Sequence, residues 1–321
     1  MRRSDRLEEF AARRARVAIG TFDGVHLGHR ELIRRAVERA REEGGEAVAL
    51  TFWPHPAQVL APAGAPRLLT GREERARRIA SLGVDALFEI PFSPGVASWP
   101  AERFVRELLA ARLDVRTVVV GYNFTFGRGA EGRPETLRRL GGELGFETVV
   151  VEPVCEGGRP VSSSRIRALV AAGEVAEAGR LLGAPFRLEG RVVPGDRRGR
   201  QLGFPTANLD VPEELLRPAR GVYAAWAEWQ PAEAPGGARA REGRPVRRAP
   251  AVVNVGIRPT FDGRREVVEA HLPGIEEDLY GVRLSLDLVE RLREERRFAG
   301  AEELRRQIAE DVQAARRRLA W

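Results

Sequence analysis

A ten-residue stretch near the N-terminus, Gly20–His29, constrains the fold of this chain more than any other segment. It follows the short apolar run Val17–Ile19 and precedes the amphipathic run Leu32–Val37. A strand, a glycine-rich turn and a helix in this order form the unit with which α/β sheets bind a nucleotide phosphate at a helix N-terminus. The sequence therefore predicts a phosphate site at this turn.

The two histidines of the stretch, His26 and His29, flank Gly28. Gly28 leaves room for a phosphate to approach the backbone, and both imidazoles are expected at the start of the helix. Histidine N–H groups there would stabilise negative charge that develops on a phosphoryl group. The structural alternative is two turn histidines at a helix cap. The pattern Gly-x-Phe-Asp-x-x-His-x-Gly-His resembles the signature of the HIGH-type nucleotidyltransferases, which transfer AMP or CMP from a nucleoside triphosphate.

All 53 basic residues are arginines, because the chain contains no lysine. A Gly-x-x-x-x-Gly-Lys-Ser/Thr phosphate loop and Schiff-base chemistry are thereby excluded. The net charge of +7 does not indicate a nucleic-acid site, since acidic residues are interleaved with the arginines, as in Arg72–Arg75 and Arg293–Arg296. We interpret these two segments as solvated helix faces. Phosphoryl transfer in this chain must use arginine, backbone N–H groups, metal and histidine.

Cysteine usage and hydropathy favour a cytoplasmic protein without a membrane partner. The single cysteine, Cys155, excludes an internal disulfide framework, and we expect it to be a small buried residue. No apolar run approaches the ~20 residues of a membrane span. The N-terminal segment Met1–Glu9 lacks the apolar core of a signal peptide.

From Arg16 to about Leu182, apolar runs alternate with amphipathic periods, which is typical of a parallel sheet with helices on both faces. The predicted strands are Val17–Gly20, Ala47–Phe52, Ala86–Ile90, Thr117–Gly121 and Thr148–Val151. The predicted helices are Arg30–Glu43, Arg72–Ser81, Ala101–Leu113 and Glu135–Leu144. Such sheets bind ligands at the carboxyl ends of their strands, so the loops after the strands are the candidate site segments.

Two of these loops offer walls for a ligand pocket. Thr51–Pro56, with two prolines and two aromatic residues, is a stiff loop that either lines a flat ring or caps its strand. In Gly121–Gly129, Asn123 offers a donor and an acceptor at a strand end, and one of the alternating Phe124 and Phe126 can face a pocket. The alternative for this second loop is a β-turn with core aromatics.

A third loop, after the fifth strand, opens a short helix within Val161–Leu169. Its serines are typical of a helix N-cap. Free backbone N–H groups, the hydroxyls and Arg165 would together clamp a triphosphate. An ordinary capped helix with surface arginines is the alternative.

Beyond Gly183–Phe186, which we predict as the boundary between domains 1–183 and 184–321, the hydrophobic period changes to that of β-structure. The predicted strands are Arg187–Val193, Gly221–Trp229, Ala251–Gly256, Val267–Leu272 and Val282–Val289. They favour a small barrel closed by an amphipathic helix, Ala301–Leu319. The segment Gln230–Pro250 is interpreted as a mobile hairpin loop without chemistry.

The barrel region carries its own dense motif, Gly199–Asn208. Thr206 and Asn208 alternate on an extended segment, so their oxygens point the same way and suit Mg²⁺ held jointly with ATP phosphates. Glu269 and His271 share a face of another predicted strand. A carboxylate buried in a barrel is costly unless it has a task, such as accepting a proton from an attacking hydroxyl; the alternative for Glu269 is a solvent-facing strand residue.

In order and spacing these motifs resemble the bacterial bifunctional riboflavin kinase/FAD synthetase family along nearly the whole chain. The supporting segments are Gly20–His29, Thr51–Pro56, Gly121–Gly129, Ser162–Arg167, Gly199–Leu209, Asn254–Thr260, Val268–Leu272 and Asp278–Gly281. The resemblance implies a C-terminal barrel that moves the ATP γ-phosphate to the ribityl 5′-hydroxyl of riboflavin, giving FMN. It implies a Rossmann-like N-terminal nucleotidyltransferase sheet that moves AMP from ATP to FMN, giving FAD and pyrophosphate.

The resemblance also implies roles for individual residues. His26 and His29 would stabilise the α-phosphate transition state, Asn123 would orient the phosphates, and Glu269 would be the general base of the kinase. Implied ATP contacts of the adenylyltransferase are Gly20, Phe22, Asp23, Gly28, Ser162, Ser163, Ser164 and Arg165. Implied flavin contacts are Pro54, Pro56 and Phe126. Implied ATP and Mg²⁺ contacts of the kinase are Gly203, Pro205, Thr206 and Asn208, with Thr206 and Asn208 as the metal ligands.

The chain departs from the family pattern at four places. Ser164 stands where the family usually has threonine, and the hydroxyl is kept. Ile257 and Ala270 each replace a usual threonine, and Pro273–Ile275 lacks the usual aromatic residue. The last three departures lie in the kinase region, so the kinase rate and flavin affinity are less firmly implied than adenylyl transfer.

We therefore expect a cytoplasmic, Mg²⁺-dependent enzyme with ATP as co-substrate and riboflavin, FMN and FAD as its flavin ligands. We expect neither a nucleic-acid nor a membrane partner, and a monomer or weak homo-oligomer. One alternative is a nucleotidyltransferase for another phosphorylated alcohol with an accessory barrel. Another is an arginine-rich regulatory protein that binds nucleic acid, which predicts salt-sensitive binding.

Overall fold

The structure is a computed structural model that describes residues 1–195, 199, 203–231, 245–260, 263–296 and 298–321. The chain divides into two compact units, Met1–Ser163 and Ser164–Trp321, and each is described by itself. Within the described ranges, no helix combines the length and the apolar character needed to cross a lipid bilayer.

The first unit is built on a six-stranded sheet in which every paired strand is parallel. Its strands are β1 (Arg2–Ser4), β2 (Ala15–Ile19), β3 (Ala47–Trp53), β4 (Ala86–Pro91), β5 (Val115–Gly121) and β6 (Glu147–Val151). They lie in the order β1-β4-β3-β2-β5-β6. The strand order reverses between β2 and β5, and this is where doubly wound sheets open a ligand crevice at the carboxyl edge.

Helices cover both faces of this sheet, as predicted. They are α1 (Leu27–Glu43), α2 (Pro56–Leu60), α3 (Arg72–Ala80), α4 (Pro94–Ala97), α5 (Ala101–Arg103), which continues as the π-helix Phe104–Ala110, and α6 (Pro134–Leu144). Ala18 of β2 packs with Ile33 of α1 and Ile79 of α3. Val17 and Ile19 point to the other face, since Cβ atoms alternate along a strand, and there pack with the π-helix and α6.

The five predicted strands of this region are confirmed, each within two residues of its predicted start. The edge strand β1 was not predicted, because three residues are too few for a period. Helix α1 begins at Leu27 rather than Arg30, since the His26 side chain caps it. Cys155 is exposed in a short hairpin of β7 (Cys155–Glu156) and β8 (Arg159–Pro160), so the expectation that it is buried was wrong.

The second unit begins with α7, whose Ser163–Ala172 span straddles the division, and α8 (Val175–Leu182), followed by a closed antiparallel barrel. The barrel strands are β9 (Phe186–Val193), β10 (Thr206–Asp210), β11 (Gly221–Trp229), β12 (Arg247–Thr260), β13 (Gly263–His271) and β14 (Arg283–Arg293). They pair in the order β10-β13-β12-β11-β14-β9, and β9 closes on β10. The predicted barrel is confirmed. Its strand β10 was not among the predicted strands, because it lies at the end of the Gly199–Asn208 motif.

A last helix, α9 (Ala301–Leu319), has the predicted bounds and packs on the outside of the barrel. Its Ala315 and Leu319 contact Val222 and Ala224 of β11 and Val252 of β12. Of the predicted loop at 230–250, residues 232–244 lie outside the described part of the chain. Residues 247–250 belong to β12, so the strand begins earlier than predicted.

Candidate active sites

The histidine motif occupies the turn between β2 and α1, at the carboxyl edge of the sheet. His26 is the N-cap of α1, with extended backbone, and its Nδ1 accepts the N–H of His29 at 3.3 Å. The two imidazoles stack, with ring centroids 3.6 Å apart and planes 15° apart. Because Nδ1 of His26 accepts, the proton of its neutral ring is on Nε2.

His29 lies in a poorly solvated position. Its ring lines a cavity, while its Nδ1 is shielded from solvent and has no hydrogen-bond partner among the described residues. Burial, and then the neighbouring His26 and Arg75, hold the pKa of His29 well below its ordinary value. A neutral imidazole at a helix N-terminus can donate an N–H to an anion without first gaining a proton.

Gly28 is packed against the same histidines. A Cβ on Gly28 would lie 3.2 Å from Cε1 of His26, a closer contact than side chains normally make. The missing side chain therefore leaves room for the His26 ring as well as for a ligand.

The buried side chains of Asp23 and Phe22 support the turn between β2 and α1. The carboxylate of Asp23, 2% exposed, accepts the N–H of Leu69 at 3.0 Å and that of Thr70 at 3.1 Å. The Phe22 ring is fully buried and meets the His29 ring edge-on, with centroids 5.4 Å apart. In the structure these two predicted ATP contacts support the loop that carries the histidines.

The turn has a strained backbone that Arg78, which is buried, and Arg30, which is half-buried, help to hold. Phe22 and Val25 have φ of 51° and 48°, a region that costs a residue with a Cβ about 1–2 kcal/mol. Arg78 donates to Gly24 O at 3.4 Å and Arg30 to Val25 O at 3.3 Å. The strain persists because these contacts and the Asp23 bonds determine the loop from several sides.

The expectation that Arg72–Arg75 is a solvated helix face was wrong for Glu74 and Arg75 of α3. Glu74, Arg75 and Arg78 are all buried. Glu74 pairs with Arg78 at 2.6 Å, so each charge has a partner away from water. The second such segment is not a helix: Arg293 ends β14 and pairs with Asp311 of α9 at 2.8 Å.

A cavity of about 550 Å³ opens beside His29 at the strand-order reversal. Its polar lining includes Thr21, His29 and Asn123. Six aromatic side chains supply much of the rest: Phe52, Phe92, Trp99, Phe104, Phe124 and Phe126. An apolar slot with a few polar groups at one end is suited to a flat ring system that carries a phosphate.

The predicted flavin contacts lie differently around this cavity. Pro56 and Phe126 line it, together with Gly20 of the histidine motif. Pro54 follows a cis peptide bond, is exposed, and does not belong to the cavity lining. Pro56 is the first residue of α2, where a proline is favourable.

The serine segment begins beside the histidine turn. Ser163 Oγ donates to Asp23 O at 3.2 Å, which ties the start of α7 to the motif. Ser162 is exposed in the first unit, whereas Ser164 and Arg165 belong to the second. Arg165 lies 3.5 Å from Glu177 of α8. Of the residues predicted to form the clamp, Ser163 therefore lies beside the histidine motif.

In the second unit, β10 and β13 bring the predicted kinase residues together. Thr206 pairs with His271, and Asn208 pairs with Glu269. Directly paired residues on neighbouring strands project to the same face, so all four share one side of the sheet. Glu269 is half-buried on the face opposite its fully buried neighbours Val268 and Ala270, so it does not point into the barrel core.

Glycines approach the oxygen-bearing side chains closely. A Cβ on Gly195 would overlap the Asn208 carboxamide, and one on Gly199 would lie 3.3 Å from Thr206 Oγ1 and closer still to Phe204 O. Only glycine fits at Gly195, because the carboxamide fills the space that a side chain would need. Gly203 has a φ of 84°, and Pro205 directly precedes β10.

A second cavity, of about 530 Å³, opens beside Pro205 and Thr206. Pro205, Thr206 and Ala270 line one side, and the segment from Ile275 to Tyr280 lines the other. Glu277 of that segment accepts from Trp229 Nε1 and Arg247.

His271 is a supporting residue of this second cavity. Its Nδ1 lies 2.8 Å from Pro205 O, so that nitrogen carries the proton of the neutral ring. Burial lowers the pKa of His271, which favours this neutral form.

Sequence patterns missed the most buried charged group of the first unit. Glu89 of β4 is fully buried and accepts from Arg3, Arg72 and Arg75. A charged residue inside an otherwise apolar predicted strand was the available signal. The sequence patterns also did not predict that Phe92, Trp99 and Phe104 line the first cavity, because these residues come from three separate segments.

Comparison with known proteins assigns both units to enzyme families. The FAD synthetase family model matches residues 9–165, and the riboflavin kinase family model matches residues 182–319. The bifunctional riboflavin kinase/FMN adenylyltransferase of Escherichia coli (strain K12) is 38% identical over 300 residues, which cover 94% of this chain and 91% of that protein. The protein of the same description from Bacillus subtilis (strain 168) is 35% identical and covers 93% and 90%.

A solved structure described as a macrolide-efflux protein from Streptococcus pneumoniae has the same fold, with a TM-score of 0.84 and 31% identity over 98% of both chains. The two units therefore define an enzyme with two transferase domains in one chain. The chain belongs to the bifunctional riboflavin kinase/FMN adenylyltransferase family, with its FAD synthetase domain N-terminal and its riboflavin kinase domain C-terminal. ATP is the phosphate or adenylyl donor of both reactions, and riboflavin, FMN and FAD are their flavin substrates and products.

Proposed function

We propose that the cavity beside His29 is where FMN is adenylylated and that the β10/β13 face of the barrel is where riboflavin is phosphorylated. The observation that carries the first assignment is the stacked His26–His29 pair at the helix start, at one end of an aromatic cavity. An oxygen of the FMN phosphate attacks the α-phosphorus of ATP, and the bond to the leaving pyrophosphate breaks. N–H groups of the two imidazoles donate to the α-phosphate oxygens as their charge grows.

The neighbouring groups orient these reactants. Asn123 at the end of the cavity directs the phosphates, and Ser162 to Arg165 hold the distal phosphates of ATP. Pro56 and Phe126 contact the flavin ring, and Pro54 stiffens the loop before Pro56. Gly20 and Gly28 keep the backbone close to the nucleotide, and Phe22 and Asp23 fix the turn.

In the barrel, Glu269 accepts the proton of the ribityl 5′-hydroxyl as that oxygen attacks the γ-phosphorus and ADP leaves. Thr206 and Asn208 offer two neutral oxygens on one strand face, in register with Glu269, a donor set suited to a hard cation. We propose that they hold Mg²⁺, which neutralises phosphate charge when bound. Gly203 and Pro205 shape the turn against the ATP phosphates.

We place the boundary between the two functional domains at Gly183, so that the domains are residues 1–183 and 184–321. Gly183 ends α8 in a left-handed conformation, and β9 starts three residues later. The compact units divide earlier, after Ser163, and α8 packs against β9 and β14. A fragment of residues 184–321 that still phosphorylates riboflavin would support the boundary at Gly183; one that needs α8 to fold would move it.

We propose that the enzyme works in the cytoplasm as a monomer or weak homo-oligomer, without a nucleic-acid or membrane partner. The reducing environment suits a chain with one exposed cysteine. Light scattering at several protein concentrations tests the oligomeric state. Filter binding of RNA and DNA at two salt concentrations tests the absence of nucleic-acid binding.

Incubation of the purified protein with riboflavin and Mg-ATP, with flavins separated by chromatography over time, tests the whole assignment. We expect FMN to appear first and FAD after it. FMN without FAD would refute adenylyl transfer at the histidine site. FAD from supplied FMN, without conversion of riboflavin, would point to the departures at Ile257 and Ala270.

A further inference from the structure

One buried guanidinium joins two walls of the first cavity. Arg75 of α3 is 2% exposed. Its Nη1 donates to Thr21 O at 3.1 Å, and its Nη2 donates to Phe52 O at 3.2 Å and to Glu89 Oε1 at 3.1 Å. Thr21 follows β2 and Phe52 lies near the end of β3, and both residues line the cavity.

The counter-ion of Arg75 is fixed by the sheet. Glu89 lies opposite Thr51 in the β3–β4 register, and Thr51 Oγ1 is the second donor to Thr21 O, at 3.1 Å. Arg3 and Arg72 also donate to Glu89, at 2.9 and 3.1 Å. Three guanidinium groups thus hold the Glu89 carboxylate in place, and the carboxylate in turn keeps the Arg75 guanidinium in one orientation.

The carbonyl that Arg75 holds directly precedes the strained turn. Phe22, next to Thr21, has a left-handed backbone, and its ring supports the ring of His29 edge-on. A shift of Thr21 would therefore move His29 relative to the wall that Phe52 contributes.

We propose that Arg75 is a positioning residue for FMN adenylylation, which sets the distance between the histidine pair and the Phe52 wall by holding Thr21 O and Phe52 O together. This inference rests on the proposed function of the cavity. Arg75 does not line the cavity and acts through the backbone of residues that do. Its planar fork serves three acceptors in different directions, which a lysine ammonium on a flexible stem does not reproduce.

The charge of Arg75 has a second consequence for the same histidine. Together with burial and His26, it keeps the pKa of His29 low. His26 comes from the start of α1 and Arg75 from α3, so two different elements contribute groups that oppose protonation of His29.

The test is the Arg75→Lys variant, assayed for both activities of the same chain. We expect kcat for FMN adenylylation to fall about 10- to 100-fold, the loss that a misplacement of about 1 Å produces, with a smaller change in KM for ATP. Riboflavin phosphorylation, which belongs to the second unit, should be unchanged, and a wild-type circular dichroism spectrum and urea unfolding curve report that the first unit is folded. Arg16→Lys is the matched control, because Arg16 is equally buried but donates to Arg14 O, before β2, and to Glu43, at the far end of α1 from the histidines.

Several outcomes would overturn the inference. Wild-type adenylylation in Arg75→Lys, or an equal loss in Arg16→Lys, would mean that Arg75 contributes only general stability. Should Arg75→Lys not fold, Glu89→Gln keeps Arg75 but removes the charge that orients its guanidinium; an unchanged kcat there would also refute the inference. A wild-type protein that makes no FAD from FMN would instead refute the proposed function itself.

Discussion

The two candidate sites differ in how deeply their described polar groups are buried. In the first unit, Asp23, Arg75 and Glu89 are buried and bonded to backbone or to opposite charges. In the barrel, Thr206 is exposed and Glu269 is half-buried on an outward strand face.

This difference has an energetic consequence. The buried ion network of the first unit is costly to desolvate and gives little net stability, but it fixes the turn before any ligand binds. The described residues of the barrel face are more exposed to solvent, so its substrates must supply more of the order. We therefore expect substitutions in the first site to act through geometry and those in the second to act through ligand and metal affinity.

We expect the largest effect from His29→Ala. Loss of a donor aimed at the α-phosphate should lower FAD formation from FMN and ATP about 100- to 1000-fold. FMN formation from riboflavin should stay within twofold of wild type. Both rates are measured by chromatography of the flavins, and an equal loss of both would refute the division of labour between the two units.

The reciprocal variant is Glu269→Gln. Removal of the proton acceptor should slow riboflavin phosphorylation about 100-fold or more, while FMN adenylylation is unchanged. Glu266→Gln is the control, since Glu266 is exposed on the same strand and pairs with Arg217. Wild-type kinase activity in Glu269→Gln would remove this carboxylate from the mechanism.

A smaller effect is expected for Thr206→Val, which keeps the side-chain shape and removes one oxygen. The Mg²⁺ concentration for half-maximal kinase activity should rise about tenfold or more, because even groups outside the coordination sphere change metal affinity that much. Excess EDTA should stop phosphorylation in both proteins. An unchanged Mg²⁺ requirement would place the metal elsewhere.

A smaller effect is expected in the pH dependence of FMN adenylylation. Because the pKa of His29 lies well below its ordinary value of 6.5, the ring stays neutral as the pH falls through 6.5. The acid limb of kcat/KM for FMN adenylylation should therefore lie below pH 6.5. An acid limb at pH 6.5 or above that disappears in His29→Gln would show that this ring titrates normally.

The same low pKa predicts the sign of a stability change. The unfolded chain binds a proton at His29 that the folded chain resists, so this residue lowers the free energy of unfolding as the pH falls below about 6.5. Urea denaturation of wild type and His29→Gln at pH 7.5 and 5.5 measures the difference. The wild type should lose more stability than the variant between these two values.

Local sequence determined the order and type of most elements. The bounds of β11 and α9 were predicted without error, because the two- and 3.6-residue periods and the turn residues that end them are local properties. The spacing of His26 and His29 likewise placed both rings at one helix start, since residues three apart on a helix are neighbours. The alternation of Thr206 and Asn208 was a local property of the same kind.

Tertiary structure alone decided which distant groups meet. Arg75 and Thr21 are 54 residues apart, and nothing in the charged run around Arg75 distinguishes a buried brace from a solvated pair. The pairing of Asn208 with Glu269 depends on barrel register, which is set by the hydrophobic faces of whole strands. A buried charge is stable only where the fold brings its partners to it, and those partners are invisible in a local window.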